Sequence, residues 1–184
     1  MNTPLTSKTA LSRAFAGANP AGSRLALALL ATCALLPAAT ASAQPAGTPT
    51  VTWTIAPVSA TPGGRARLVL QGTLRDNWHL YAFKQKENGP TPLRVALDAN
   101  EVAQPDGAPS GSAPIVAHDA AFNLDTPYYL HNFAITVPVK LKPHAAAGRQ
   151  NVPVTVRFQT CNGQTCEPPK TLHLTAAVTV GAHG

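Results

Sequence analysis

Two cysteines, Cys161 and Cys166, bracket the four residues Asn162-Gly163-Gln164-Thr165. A thiol pair at this spacing can close a disulfide, exchange electrons with another dithiol, or supply two ligands to a soft metal ion. Asn-Gly between two runs of alternating apolar residues is a strong hairpin signal. The loop then sets the cysteines opposite each other at its neck, at a cross-strand Cα spacing of roughly 4.5–5.5 Å that a disulfide accepts. Closing so small a loop stabilises by about 2 kcal/mol in the chain-entropy account. That figure suits a structural staple as well as a redox-active pair, so the residues alone leave both readings open. A metal set completed by His173 is a weaker alternative. Cys-x4-Cys without a second cysteine pair is poor zinc spacing, and the single methionine, Met1, excludes a Met-rich copper site.

Other chemistries find no support. The chain has no Gly-x-Ser-x-Gly, His-Glu-x-x-His or glycine-rich phosphate loop. Its six histidines, His79, His118, His131, His144, His173 and His183, are scattered, and the acidic residues form no spaced pair. No cofactor is expected.

The elements that must position the cysteines begin after an export signal. Lys8, Arg13 and Arg24 precede an apolar run from Leu25 to Leu36, and Ala41-Ser42-Ala43 follows as a small-x-small cleavage pattern. As a helix that run spans about 18 Å, short of the roughly 30 Å of a hydrocarbon core. A signal peptide is therefore expected over 1–43, with Cys33 discarded inside it, a Pro/Ala/Gly leader over 44–50, and one domain over 51–184. An exported chain left with two cysteines belongs to a disulfide-permissive compartment. The formal charge is +6, from fourteen Lys and Arg against eight Asp and Glu. Removing Lys8, Arg13 and Arg24 leaves eleven basic residues against eight acidic ones, or +3. The basic residues are dispersed and not interleaved with aromatics, so nucleic-acid binding has no footprint.

Across the rest of the chain the apolar pattern has period two. It runs through Val51-Trp53-Ile55, Ala66-Leu68-Leu70, Trp78-Leu80-Ala82, Leu93-Val95-Leu97, Phe133-Ile135-Val137-Val139, Val152-Val154-Val156-Phe158 and Leu172-Leu174-Ala176-Val178-Val180. The last strand before the cysteines is expected to continue from Phe158 through Cys161. Between Asn100 and Thr126 the composition of Ala, Pro, Gly and Asp predicts loop with one short strand. No segment keeps a period of 3.6, and eighteen prolines and thirteen glycines punctuate the chain at strand-like intervals. Seven or so half-buried strands predict an all-β, immunoglobulin-like β-sandwich carrying the cysteine hairpin.

Phe158-Gln159-Thr160-Cys161-Asn162-Gly163-Gln164-Thr165-Cys166-Glu167-Pro168-Pro169 resembles the signature of the N-terminal periplasmic domain of DsbD-type thiol:disulfide interchange proteins: aromatic-Gln-x-Cys, a second cysteine a few residues on, then a proline pair. Trp78-His79-Leu80-Tyr81 resembles the family's aromatic strand near the active site, and Phe122 to Tyr129 followed by Phe133 to Val139 resembles its cap loop and following strand. The resemblance implies a periplasmic domain that receives electrons from a membrane-linked thioredoxin-like donor. It passes them to thioredoxin-fold acceptors such as disulfide isomerases and cytochrome c maturation factors, touching the membrane only through its partners. It implies that Cys166 is the attacked cysteine, Cys161 the resolving one, Phe122 the cap, and Tyr81 and His79 the surround. The chain departs from the pattern in having four residues between the cysteines where the best-known members have five. His79 stands in a tyrosine's place, and Ala120-Ala121 replace acidic residues before Phe122, although Asp119 is close. The sequence ends after one domain, so separate proteins are expected to supply the membrane and thioredoxin roles. The alternative from another class is a non-catalytic β-sandwich binding module with a structural hairpin disulfide.

Overall fold

The computed structural model describes residues 48–182. The expected signal peptide, Cys33, most of the expected leader and His183 lie outside the described residues.

The described residues form thirteen strands and no helix: β1 (Val51–Ile55), β2 (Val58–Ala60), β3 (Arg65–Leu74), β4 (His79–Tyr81), β5 (Arg94–Leu97), β6 (Ala103–Pro105), β7 (Ser110–Gly111), β8 (Ile115–Asp119), β9 (Leu124–Leu130), β10 (Asn132–Leu141), β11 (Gly148–Phe158), β12 (Thr160–Cys161) and β13 (Lys170–Val180). One sheet has the order β1-β3-β10-β6, with β7 also on β10; a second has the order β2-β13-β11-β5; a third, smaller one has the order β12-β4-β9-β8. All pairings are antiparallel except β13 with β2.

The period-two segments form the sandwich, because alternate side chains of a strand share one face. Leu68, Leu70, Ile135 and Val137 of the first sheet and Val152, Val154, Val156 and Val178 of the second join one buried cluster. Each such side chain contributes about 1.5–3 kcal/mol by leaving water. Gly72 interrupts the large residues of β3 for a steric reason. Its register partner Phe133 lays its ring where a Cβ at position 72 would stand. The all-β, immunoglobulin-like sandwich expected from the pattern is the fold.

Two local expectations are corrected. Besides the start of β9, the stretch 100–126 holds three short strands, β6, β7 and β8, rather than one. They are two to five residues long and mostly exposed, so no apolar alternation marks them. The strand before the cysteines also does not run through. β11 stops at Phe158, and Thr160-Cys161 leaves its sheet to pair with Leu80 and His79. Gln159 makes the transfer: its carbonyl accepts from Tyr81 N at 3.2 Å and its Oε1 from Thr91 N at 2.8 Å.

Thr50, which the composition assigns to the leader, is only 3% exposed. Its hydroxyl donates to Glu167 Oε2 at 2.7 Å, so the chain entering β1 is tied to the residue after Cys166.

Candidate functional site

Cys161 and Cys166 are joined by a disulfide, with Cα atoms 4.0 Å apart, and face each other as an isolated antiparallel bridge. The loop between them is built by Asn162. Its Oδ1 accepts from Gln164 N at 3.0 Å and Thr165 N at 2.7 Å, while its own N–H donates to Thr165 O at 3.1 Å. An asparagine side chain bonding backbone groups two and three residues on mimics a turn. Gly163 takes φ 82°, a conformation glycine adopts without a Cβ penalty. Below the disulfide, Glu167 N donates to Thr160 O at 2.9 Å. Pro168 and Pro169 have no N–H for a ladder, and regular pairing resumes at Lys170.

The two sulfurs sit in different surroundings. Cys161 is fully buried in β12, whereas Cys166 is half-buried on the returning arm. Directly opposed residues of antiparallel strands share a face. The register therefore puts Cys161, His79 and Leu130 in one row and Tyr81, Tyr128 and Ile115 in the next. Leu80, Thr160 and Tyr129 take the opposite face. Every residue of β4 is buried, so this strand carries polar side chains into the interior.

Those polar groups converge on Asp119, which is 4% exposed. Tyr81 Oη donates to Asp119 Oδ2 at 2.6 Å and lies 3.8 Å from Cys166 Sγ. His79 Nε2 faces the same Oδ2 at 3.5 Å, too far for a well-formed hydrogen bond, and has no other partner. Asp119 also shapes the turn after β8: its Oδ1 accepts from Ala121 N at 2.9 Å and its carbonyl from Phe122 N at 3.3 Å. Phe122 emerges from that turn and meets Tyr81 edge-on, with centroids 5.8 Å apart. His79 packs on Tyr128 at 4.4 Å and against Tyr81 at 5.0 Å.

Burial, with help from Asp119, pushes the Tyr81 phenol far above its ordinary range, so it stays a donor at physiological pH. Burial pulls His79 below 6.5 against the opposing pull of Asp119, which favours the neutral ring. On the other side of the hairpin, burial works to raise Glu167. Hydrogen bonds from Lys170, Thr50 and Thr160 outweigh it and hold the carboxyl below 4.5. An open cavity of about 220 Å³ lies beside the cysteine loop, with His79, His118, Asp119, Tyr128, Asn162 and Gly163 among its walls.

The structure thus brings Cys161, Cys166, Tyr81, His79 and Phe122 into one cluster. Sequence reasoning noticed Asp119 only as a nearby acid, and missed its place between Tyr81 and His79. It also missed Tyr128 and the Thr50–Glu167 tie. Alternation along His79-Leu80-Tyr81 could have put His79 and Tyr81 on one face. Nothing local indicates that β8 and β9 fold back to supply Asp119 and Tyr128. His173 is not brought to the cysteines. It sits on β13, with Nδ1 3.0 Å from Thr155 Oγ1 and 3.9 Å from Asp98 Oδ2. Among the described residues no three His, Cys, Asp or Glu gather as a metal set.

Residues 48–177 match the profile of the family described as "Thiol:disulfide interchange protein DsbD, N-terminal". No curated protein sequence matches the chain. Among solved structures, the reduced DsbD N-terminal domain of Neisseria meningitidis is similar at 17% identity and TM-score 0.44, over 65% of this chain and 80% of that one. The N-terminal periplasmic domain of ScsB from Proteus mirabilis is similar at 17% identity and TM-score 0.46, over 68% of this chain but only 44% of that one.

Proposed function

This chain belongs to the family of the DsbD N-terminal domain, a thiol:disulfide interchange domain, and from that premise we propose that it is an exported protein-disulfide reductase of the periplasm. In this reading residues 1–43 are removed on export and 51–184 form the working domain. It carries electrons from a membrane-linked thioredoxin-like donor to disulfide-containing thioredoxin-fold acceptors. Cys166 is the cysteine that meets partners and Cys161 the one that resolves.

The observation that carries the division of labour is the asymmetry of the pair: Cys161 is fully buried while Cys166 is half-buried. In loading, a donor thiolate attacks Cys166 Sγ and the Cys161–Cys166 bond breaks. Cys161 leaves as a thiolate and takes up a proton. The donor's second thiol, losing its proton, then attacks the mixed disulfide, leaves as part of the oxidised donor, and releases Cys166 as a thiolate. Two electrons have moved in. In unloading, the Cys166 thiolate attacks an acceptor disulfide and frees one acceptor sulfur as a thiolate. Cys161, deprotonated, attacks Cys166 Sγ and frees the other, restoring the intramolecular bond. This is ordinary exchange through a mixed disulfide, and it needs one accessible sulfur with a second beside it. Among the described residues no helix is present to lower a thiol pKa through its N-terminus, so activation rests on the groups around Tyr81 and on the partner. Phe122, packed on Tyr81, acts as the cap that restricts access until a partner docks.

Trapping in the periplasm tests the reading. Cys161→Ser, which keeps Cys166, is expected to accumulate a mixed disulfide with a thioredoxin-fold protein, and Cys166→Ser is not. Capture by neither variant overturns the exchange role; capture by Cys166→Ser alone overturns the assignment of the two cysteines.

A further inference from the structure

The exchange steps give no task to His79, which stands closest to the Tyr81–Asp119 pair among the unpartnered buried groups. His79 Nε2 is inaccessible, has no hydrogen-bond partner, and points at a carboxylate oxygen already held by a tyrosine. A buried nitrogen left short of an acceptor is unfavourable, so its place beside the disulfide calls for an explanation.

We propose that His79 is a positioning residue for thiol–disulfide exchange: it takes over Asp119 Oδ2 as donor, so that the Tyr81 hydroxyl can turn to the Cys166 sulfur when that sulfur becomes a thiolate. The proposal rests on the reading of Cys166 as the reacting cysteine. Tyr81 has one hydroxyl proton and two acceptors within reach, Asp119 Oδ2 at 2.6 Å and Cys166 Sγ at 3.8 Å. In the disulfide form the sulfur is a weak acceptor and the carboxylate a strong one, so the proton points to Asp119. Exchange changes the balance by putting a full negative charge on Cys166. Rotation about the phenol C–O bond can then redirect the proton to the thiolate. By itself that rotation would strip a donor from a carboxylate that is 4% exposed, at the cost of a buried charge losing a hydrogen bond. His79 Nε2, 3.5 Å from the same oxygen, needs only a small approach to replace it.

The surroundings suit that exchange of donors. The groups packed around His79 are Asp119 from β8, Tyr128 from β9, Tyr81 on its own strand and, across the backbone register, Cys161 on β12. His118 and Asn162 line the same cavity. Asp119 is the only one of these that contacts the ring as an anion, and the facing tyrosine rings fix its plane. A neutral imidazole protonated on Nε2 donates to Asp119 without adding a charge, and burial favours the neutral ring.

The test isolates Cys166 as the sole thiol of the exported domain by Cys161→Ser and follows its alkylation by iodoacetamide across pH. His79→Phe in that background keeps an aromatic ring but removes the donor. It should raise the midpoint of the profile and slow alkylation at neutral pH roughly three- to tenfold, the span of one hydrogen bond. His79→Gln, whose amide can donate to Asp119, should recover most of the rate. Tyr81→Phe should give a similar loss, and adding His79→Phe to it should change nothing further. A His79→Phe profile that superimposes on its parent overturns the proposal, as does an effect that persists undiminished without the Tyr81 hydroxyl. Should His79→Phe fail to fold, nitrogen-15 spectra of the unsubstituted ring decide. The Nε2–H proton should move downfield between the disulfide protein and the thiolate form of Cys161→Ser, and an unmoved signal overturns the proposal. Alkylation needs no protein partner, so this relay can fail while trapping succeeds, and trapping can fail while the profile shifts.

Discussion

β11 and β13 pair over eleven residues, from Gly148↔Val180 to Phe158↔Lys170, whereas β12 pairs with β4 over two. The long ladder turns Val152, Val154, Val156 and Phe158 to one side, with Asn151, Thr155 and Arg157 at the other. The small sheet has no such division. β4 is buried on both faces, and His79, Asp119, Thr126 and Thr160 are all buried polar residues in or beside it. Of the four buried polar side-chain atoms without a partner among the described residues, two, His79 Nε2 and Thr126 Oγ1, belong to this sheet. The contrast separates where apolar side chains are buried from where polar ones are. The sandwich supplies most of the apolar burial, with Leu80 and Tyr129 added from the small sheet, which also holds a carboxylate, a phenol and an imidazole beside a disulfide.

The contrast is broken most directly from the sandwich side. Leu70→Ala removes a fully buried side chain at the centre of β3, between Ile55 and Ile135. It should cost about 2–5 kcal/mol of unfolding free energy, read by urea titration of the oxidised domain. The alkylation profile of Cys166 in the Cys161→Ser background should stay where it was. A shifted profile would mean that the site is strained by the core and is not an independent unit.

The same division explains what could be read beforehand. Period two is visible wherever one face of a strand is buried and the other wet, as in β3, β10, β11 and β13. It fails for β8, whose Ile115 and Val116 are exposed at a sheet edge, and for β6 and β7, which are too short to show a period. Of the site, the cysteine pair was legible because Asn162 and Gly163 make its turn locally. Asp119 and Tyr128 were not, because their nearness to Tyr81 and His79 depends on the register of β9 against β4, fixed by contacts about fifty residues apart. Thr50 looked like leader because a small polar residue after prolines carries no sign that it will meet Glu167, 117 positions on.

The disulfide comes next in size. Reducing it should lower stability by about 2 kcal/mol, measured by urea unfolding with and without reductant. The hairpin should persist, because the bonds that Gln164 N and Thr165 N donate to Asn162 Oδ1 do not involve sulfur. Amide exchange at Gln164 and Thr165 that becomes unprotected on reduction would show instead that the disulfide alone holds the loop. Thr50→Val should cost about 0.5–1.5 kcal/mol and move the Glu167 carboxyl up, seen in its carbon-13 titration. An unmoved Glu167 would remove Thr50 from the account of the site.

The smallest expected effect is a two-step loss of stability in acid, one step for each side of the hairpin. His79 titrates below its ordinary 6.5 in the fold. Between that value and 6.5 the unfolded chain binds a proton that the folded chain refuses, so stability rises with pH. The contribution is complete above 6.5 and is lost as pH falls through the lowered value. Glu167 is likewise held below 4.5. Its contribution is complete above 4.5 and is lost as pH falls further. Asp119 opposes the burial of His79, which keeps the upper step small. Urea titrations of the oxidised domain from pH 7 to pH 3 should show both steps. His79→Phe should erase only the upper one and Glu167→Gln only the lower. If His79→Phe leaves the upper step intact, the buried imidazole is not what titrates there, and the small sheet is less costly to the fold than its unpartnered nitrogen implies.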